Sequence, residues 1–437
     1  MLNRLRDLLK HQTGRNVLIN TLGNYLNIFF VAFFALLLTR ILSVEAYGVL
    51  SVLLGIAYVL SNILDFGTTA TIYSYLPGLL EKKHEGRNQL YVFIKSTFFY
   101  QSLFSFIVIA VLFFTFPWLD KVFFKTDAPP TELYLTAISV LFFIWQYFVL
   151  NIMFAAKHYF KANMYLNLAN VIKTLLIFVM MGFGKVTVGS VIFVFGIVGP
   201  VIFFLMLFME RRELFFVLAK SAVRKEEVRF GYTLTYFVGS QFFNLGLRMD
   251  LFLLSFFRSK AEVGLYGLSQ KIILTIITTI ISITQVLSPA FSRVKTKADA
   301  RQQLKTAFFY LLIPAGLFLI VFLLPDWVFT LFFTDKFEKT AGITKALALP
   351  FAIYAIGNIP LLFVLYSVKK PIYILISYVL FFLILTGGCL MLIPKLGVYG
   401  PPYAITAAMV VSHTILGIVA FVEYKKLPTT ISANAQE

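Results

Sequence analysis

The sequence predicts an all-α integral membrane protein with twelve transmembrane helices in two six-helix lobes related by a parallel pseudo-two-fold repeat. Composition, the continuity of the apolar runs and an internal repeat predict it. Of 437 residues, 59% are hydrophobic and only 13% are charged, and the mean hydropathy is +0.86. A soluble chain this apolar would expose far too large an apolar surface. A helix crosses a hydrocarbon core of about 30 Å with about 20 apolar residues. The apolar runs here are continuous rather than alternating, which selects helices over a barrel.

In chain order, residues 1–15, MLNRLRDLLKHQTGR, put Leu2, Leu5, Leu8 and Leu9 near one helical face and Arg4, Arg6 and Lys10 around the other. That is the pattern of a cytoplasmic surface helix, and no cleavage site marks it as a signal peptide. The predicted spans are 16–39, 47–76, 91–117, 132–154, 163–182, 190–209, 231–257, 261–288, 303–325, 344–366, 371–393 and 400–422. Residues 16–209 thus form an N-lobe and 231–422 a C-lobe, joined by a basic cytoplasmic linker, 210–230, with a cytoplasmic tail at 423–437. The loops on the side of the termini carry more than twice as many lysines and arginines as the opposite loops. This bias places both termini in the cytoplasm and accounts for the formal net charge of +18 without nucleic acid as a partner.

Loops at the same point of each six-span block share chemistry. FPWLDKVFFKTD (116–127) after span three parallels LPDWVFTLFFTD (324–335) after span nine. SVEAYGVLS (43–51) parallels KAEVGLYGLS (260–269), and GKVTVGS (184–190) parallels PKLGVYG (394–400). Because six is even, both halves enter the membrane in the same direction. The expected symmetry axis lies along the membrane normal, which puts a substrate path between the halves.

The organising stretch is 240–272, SQFFNLGLRMDLFLLSFFRSKAEVGLYGLSQKI, where Arg248, Asp250 and Lys271 sit inside apolar runs. A charge at the bilayer centre costs at least ~2.5 kcal/mol, so each must face protein, water or a ligand. A structural ion pair and a polar cavity for charged cargo both meet that need. Arg248 and Asp250, two residues apart, point to nearly opposite sides of a helix and do not face each other. At ~1.5 Å per residue, Arg248 and Lys271 lie ~13–15 Å below the outer surface. Asp65 in span two, Asp250 or an anionic ligand could separate these two cations, and Lys173 adds a third in span five. Lys95 and Lys345 near span ends are expected to snorkel. A surplus of intramembrane cations suits a diphosphate and disfavours cationic drugs.

Span one carries Asn16, Asn20, Asn24 and Asn27 on one face, and span seven carries Tyr236, Ser240, Asn244 and Arg248 at steps of four. Each stripe needs either a neighbouring helix or a wet cavity. Pro77, Pro200, Pro289, Pro314, Pro350 and Pro360 provide kinks. Lone His413 in span twelve is expected to be hydrogen-bonded within the bundle. The single Cys389 leaves no intrachain disulfide or cysteine cluster, and four scattered histidines make no metal site. Without a Walker A sequence or soluble domain, no enzyme activity and no cofactor are expected. Any active transport must draw on an ion gradient, H⁺ or Na⁺, or on consumption of the product.

Three segments resemble the polysaccharide-transporter family. They are 38–77 with its Glu45–Gly48 turn and Asp65-Phe66-Gly67, 248–272 with Asp250, Gly264, Tyr266 and Lys271, and IPKLGVYGPPYAITAA (393–408). That family belongs with the multidrug and toxin extruders and the peptidoglycan-precursor flippases. The resemblance implies a V of two lobes, alternating access, and a prokaryotic cytoplasmic membrane. It also implies transfer of polyprenyl-diphosphate-linked oligosaccharide from inner to outer leaflet. By position it makes Arg248, Asp250, Lys271 and Asp65 cavity candidates, with Lys173 added as the cation of span five and Asn20, Asn24, Asn27, Asn244 and Ser240 from the stripes. The expected partners are the lipid-linked glycan, membrane lipids and polysaccharide polymerase machinery. The alternatives are a proton- or sodium-coupled multidrug antiporter of the same fold, with Asp65 or Asp250 as ion carrier, and a scaffold without a transport cycle. The two additional C-terminal helices typical of the peptidoglycan-precursor flippases have no counterpart here.

Overall fold

The computed structural model describes residues 12–82, 85–124, 126–332 and 339–429, and every regular element among them is helical. The expected surface helix at 1–15 lies almost wholly outside the described residues, as do His84, most of the second FFTD loop and the last part of the tail. The chain divides into two compact units, Met1–Phe230 and Gly231–Glu437.

Unit 1 begins with α1 (Gln12–Ile41) and α2 (Val44–Ile63), the latter capped by the Ser43 hydroxyl, which accepts from the Ala46 N–H. The second predicted span does not run straight. It breaks after α2 and resumes as α3 (Thr68–Glu81), bent by 48°. Phe66 (φ 50°) and Gly67 (φ 79°) adopt left-handed conformations that end the α2 ladder. Then follow α4 (Glu85–Leu119), α5 (Pro130–Ala155) started by Pro130, and α6 (Tyr159–Gly182). α7 (Val188–Phe193) opens on a Thr187/Ser190 capping box and passes through a π-helical turn, 194–198, into α8 (Gly199–Lys220). α8 is kinked at Arg211 (φ −128°, ψ 36°), within the Glu210–Glu213 charged run that ends the apolar stretch. The core of this unit is built on Phe34, Leu53, Phe116, Val140, Phe143, Ile177 and Ile192.

Unit 2 comprises α9 (Phe230–Phe257), α10 (Lys260–Phe291), α11 (Lys297–Leu323), α12 (Asp326–Phe332), α13 (Thr340–Leu362), α14 (Pro371–Leu396) and α15 (Gly400–Lys426). Capping boxes at Ser259/Glu262 and Thr296/Asp299 start α10 and α11. These boxes satisfy backbone N–H groups that a helix start otherwise leaves open. Gly397 (φ 60°) ends α14. In the core Phe243 of α9 stacks on Tyr378 of α14 at 4.7 Å and meets Phe381 at 5.0 Å. Gly246 permits this approach, because a Cβ there would come 2.7 Å from the Phe381 ring.

Among the described residues nine helices are long and apolar enough to cross a membrane, or ten if the bent α2–α3 pair counts as one span. The charged α9 is not in that set, and one of its stretches, Pro371–Lys426, holds both α14 and α15. Large apolar side chains stand on the outside, as a lipid-facing surface requires: Phe114 is 82% exposed and Phe256 77%.

Candidate functional site

In unit 2 the charges of the organising stretch separate as their spacing predicts. Asp250 is 1% exposed. Its carboxylate accepts from the Tyr266 hydroxyl at 2.5 Å, from Gln270 Nε2 at 3.0 Å and from the Leu251 N–H at 2.6 Å. Gln270 Nε2 also reaches the Leu247 carbonyl at 3.3 Å. A buried carboxylate is tolerated when several donors replace its water. Tyr266 and Gln270 are one helical turn apart on α10 and act as a two-pronged clamp on α9.

Arg248 lies on the opposite, exposed side of α9, with Asn244 one turn before it, and Lys271 is exposed on α10. Among the described residues no hydrogen bond or ion pair engages the Arg248 guanidinium or the Lys271 ammonium. Thr275, exposed one turn after Lys271, turns its hydroxyl back to the Lys271 carbonyl. The Ser240 hydroxyl donates to the Phe237 carbonyl at 2.8 Å and accepts weakly from Gln241. The stripe on α9 thus turns from half-buried at Tyr236 and Ser240 to exposed at Asn244 and Arg248.

Unit 1 holds the other candidates. Asp65, at the α2–α3 break, accepts from Thr68 Oγ1 at 2.9 Å and from Thr69 Oγ1 at 2.8 Å and its N–H at 3.3 Å. It thereby caps α3, whose first N–H groups the break leaves open. Thr69 Oγ1 in turn accepts from Asn151 Nδ2 at 2.7 Å, and Tyr73 donates to Asn151 Oδ1. Lys173 is half-buried, with its ammonium 5.0 Å from the Phe195 ring and 6.0 Å from Phe34. Two aromatic faces attract a cation where water is scarce. Its stem lies against Gly199, where a Cβ would come 2.7 Å from Lys173 Cδ.

The asparagine stripe of α1 faces α6. Asn163 Nδ2 donates to Asn20 Oδ1 at 3.0 Å, Asn167 Nδ2 to the Gly23 carbonyl at 3.1 Å, and Asn170 Nδ2 to Asn27 Oδ1 at 2.8 Å. Asn20 has no exposed surface and belongs to this helix–helix seam, whereas Asn24 and Asn27 keep part of theirs. The second stripe, Asn163, Asn167 and Asn170, repeats the spacing of four and three seen on α1. That repetition marks a second polar face on α6, as the Tyr266–Gln270 spacing does on α10, but neither spacing names the partner it meets.

The span-end lysines are engaged. Lys95 Nζ donates to the Ala219 and Ser221 carbonyls, both at 2.6 Å, and Lys345 pairs with Asp326 at 2.5 Å. His413 Nδ1 lies 2.9 Å from the Met409 carbonyl. Among the described residues no group of histidine, cysteine or carboxylate side chains could hold a metal ion.

Comparison with solved structures defines the class. An outward-facing multidrug resistance MATE family transporter of the MOP superfamily matches at TM-score 0.75 and 13% identity, over 97% of this chain and 98% of that one. A MATE structure in the bent conformation matches at TM-score 0.71 and 15% identity, over 96% and 97%. A MOP superfamily transporter from Pyrococcus furiosus, described as having a binding pocket of reverse polarity that suggests a different function, matches at TM-score 0.72 and 12% identity, over 96% and 97%. The fold is therefore that of the MATE-type transporters. A family model described as "Polysaccharide biosynthesis protein" matches residues 13–295. The chain belongs to that polysaccharide biosynthesis family. No protein of curated function matches it.

Proposed function

We propose that this protein is a flippase that moves polyprenyl-diphosphate-linked oligosaccharide from the inner to the outer leaflet by alternating access. The observation that carries this reading is the sign of the exposed charge. Arg248 and Lys271 are exposed on apolar helices, whereas Asp250 is buried and held by Tyr266 and Gln270. Exposed cations within a span call for an anionic partner, and guanidinium and ammonium groups suit the oxygens of a diphosphate. Asn244 and Ser240 on the same stripe would meet sugar hydroxyls. The related transporter whose reversed pocket polarity suggests a changed function supports reading cargo from charge.

The membership in a polysaccharide biosynthesis family supports the same cargo class. In this reading the protein is a transporter rather than a catalyst, lies in the cytoplasmic membrane with both termini inside, and uses no cofactor. Transport is coupled to H⁺, Na⁺ or downstream polymerisation, and the partners are the lipid-linked glycan, bilayer lipids and the polymerase machinery. The multidrug reading is the weaker one, since the charges exposed on α9 and α10 at this stretch are cations while Asp250 is buried. Replacing both cations, Arg248→Gln with Lys271→Gln, should abolish glycan export in a reconstituted flipping assay while drug tolerance stays unchanged. Undiminished export by the double variant would sink the diphosphate assignment.

A further inference from the structure

Where α4 enters the bilayer, a cavity of about 270 Å³ is lined by Asn88, Gln89 and Val92 of α4 and by Arg224 and Glu227 of the linker. It is open to the outside, since Asn88 and Arg224 are exposed, and its walls are fixed within unit 1. The Lys95 ammonium holds the end of α8 through the Ala219 and Ser221 carbonyls, and Ser96 Oγ accepts from the Arg224 N–H at 2.8 Å. A short 3₁₀ turn, Lys225–Val228, then sets Val228 inward at 2% exposure. Arg229, left-handed at φ 55°, closes the turn with its guanidinium 4.7 Å from the Tyr75 ring. Asn88 begins the apolar stretch Asn88–Val122, so the cavity lies at one end of a candidate span. Exposed Phe216, Val217 and Val223 on the neighbouring linker suit the same depth.

The polar groups of the cavity are of both signs. Among the described residues neither the Arg224 guanidinium nor the Asn88 amide has a side-chain partner. Glu227 accepts only a long bond of 3.3 Å from Gln89, whose own oxygen accepts from Lys82 at 3.1 Å. A pure anion would be repelled by Glu227, and a pure cation by Arg224. We propose that this cavity binds the headgroup of a zwitterionic phospholipid with a primary ammonium. Its phosphate faces Arg224 and Asn88, and its ammonium donates to Glu227. The site lies within unit 1, uses none of the residues assigned to the glycan lipid, and stands whether or not that assignment holds.

Native mass spectrometry of the full-length protein in detergent tests it, with phosphatidylethanolamine, phosphatidylglycerol and phosphatidylcholine offered at equal concentration. Phosphatidylethanolamine should be retained about tenfold more strongly than the other two, as loss of one charge-assisted bond implies. Arg224→Gln should lower that retention about tenfold, and Glu227→Gln should lower it while raising retention of phosphatidylglycerol. Arg212→Gln, on the exposed linker outside the cavity, should change nothing. Equal retention of the three lipids, or a Glu227→Gln protein that still prefers phosphatidylethanolamine, overturns the proposal. Soluble phosphoethanolamine should bind more weakly than the lipid, and equally strong binding would reassign the cavity to a free metabolite.

Discussion

The Tyr266 hydroxyl donates to the Asp250 carboxylate at 2.5 Å and so joins α10 to α9 inside the apolar part of unit 2. Removing that donor leaves a buried carboxylate oxygen short of a partner, which costs about 1–3 kcal/mol. Tyr266→Phe should therefore lower the unfolding temperature in detergent, and Asp250→Asn combined with it should recover part of the loss. A Tyr266→Phe protein as stable as the parent would show that the bond contributes nothing.

Gly23 admits a close approach of α6 to α1. A Cβ there would stand 2.2 Å from Asn163 Cγ. Gly23→Ala should destabilise unit 1 by about 1–3 kcal/mol, the usual range for overpacking. Asn163 Cβ itself lies 2.5 Å from that position, so only Asn163→Gly clears the obstruction, and Gly23→Ala with Asn163→Gly should lose less stability than the two single losses summed. Additive losses measured by thermal melts would rule out this contact as the cause.

Lys173 has aromatic neighbours and no ion pair among the described residues. Replacing it by Met removes a charge without stranding an opposite one, which in a low-dielectric site is neutral or stabilising. Lys173→Met should keep or raise the melting temperature. A melting temperature several degrees lower would point to a counter-charge that holds the lysine in place.

His158, at the exposed turn between α5 and α6, has its imidazole held below its ordinary value of 6.5, first by partial burial and then by the charges of Arg211 and Lys161, with Glu210 opposing. The fold therefore favours the neutral ring. Its contribution to stability is intact above pH 6.5 and is lost as pH falls through the lower folded value. Subtracting the pH–melting curve of His158→Gln from that of the parent should reveal a decline confined to the acid side of 6.5. A flat difference curve would remove His158 from the account.

The predicted spans fall mainly on helical residues, the second interrupted at 64–67, because twenty-residue apolar runs have no other stable form in lipid. The break at Asp65-Phe66-Gly67 was not foreseen. Its apolar pattern continues through the bend, and only the left-handed Phe66 and Gly67, with Thr68 and Thr69 bonded back to Asp65, reveal the cap. The opposed orientation of Arg248 and Asp250 was legible, since it follows from helical geometry alone. Which groups meet Asp250 was not, because Tyr266 and Gln270 approach it from another helix. The α1 asparagines show the same boundary: their common face is local information, but the α6 amides opposite are a tertiary fact.

The two side-chain rungs of that seam link residues separated by the same 143 positions, Asn20 with Asn163 and Asn27 with Asn170. Equal offsets mean that α1 and α6 run in the same direction in step, like two rulers clamped at matching marks. A slip of one turn along either helix would break every rung together. Within unit 1 the seam therefore ties α1 and α6 together rather than letting them slide freely.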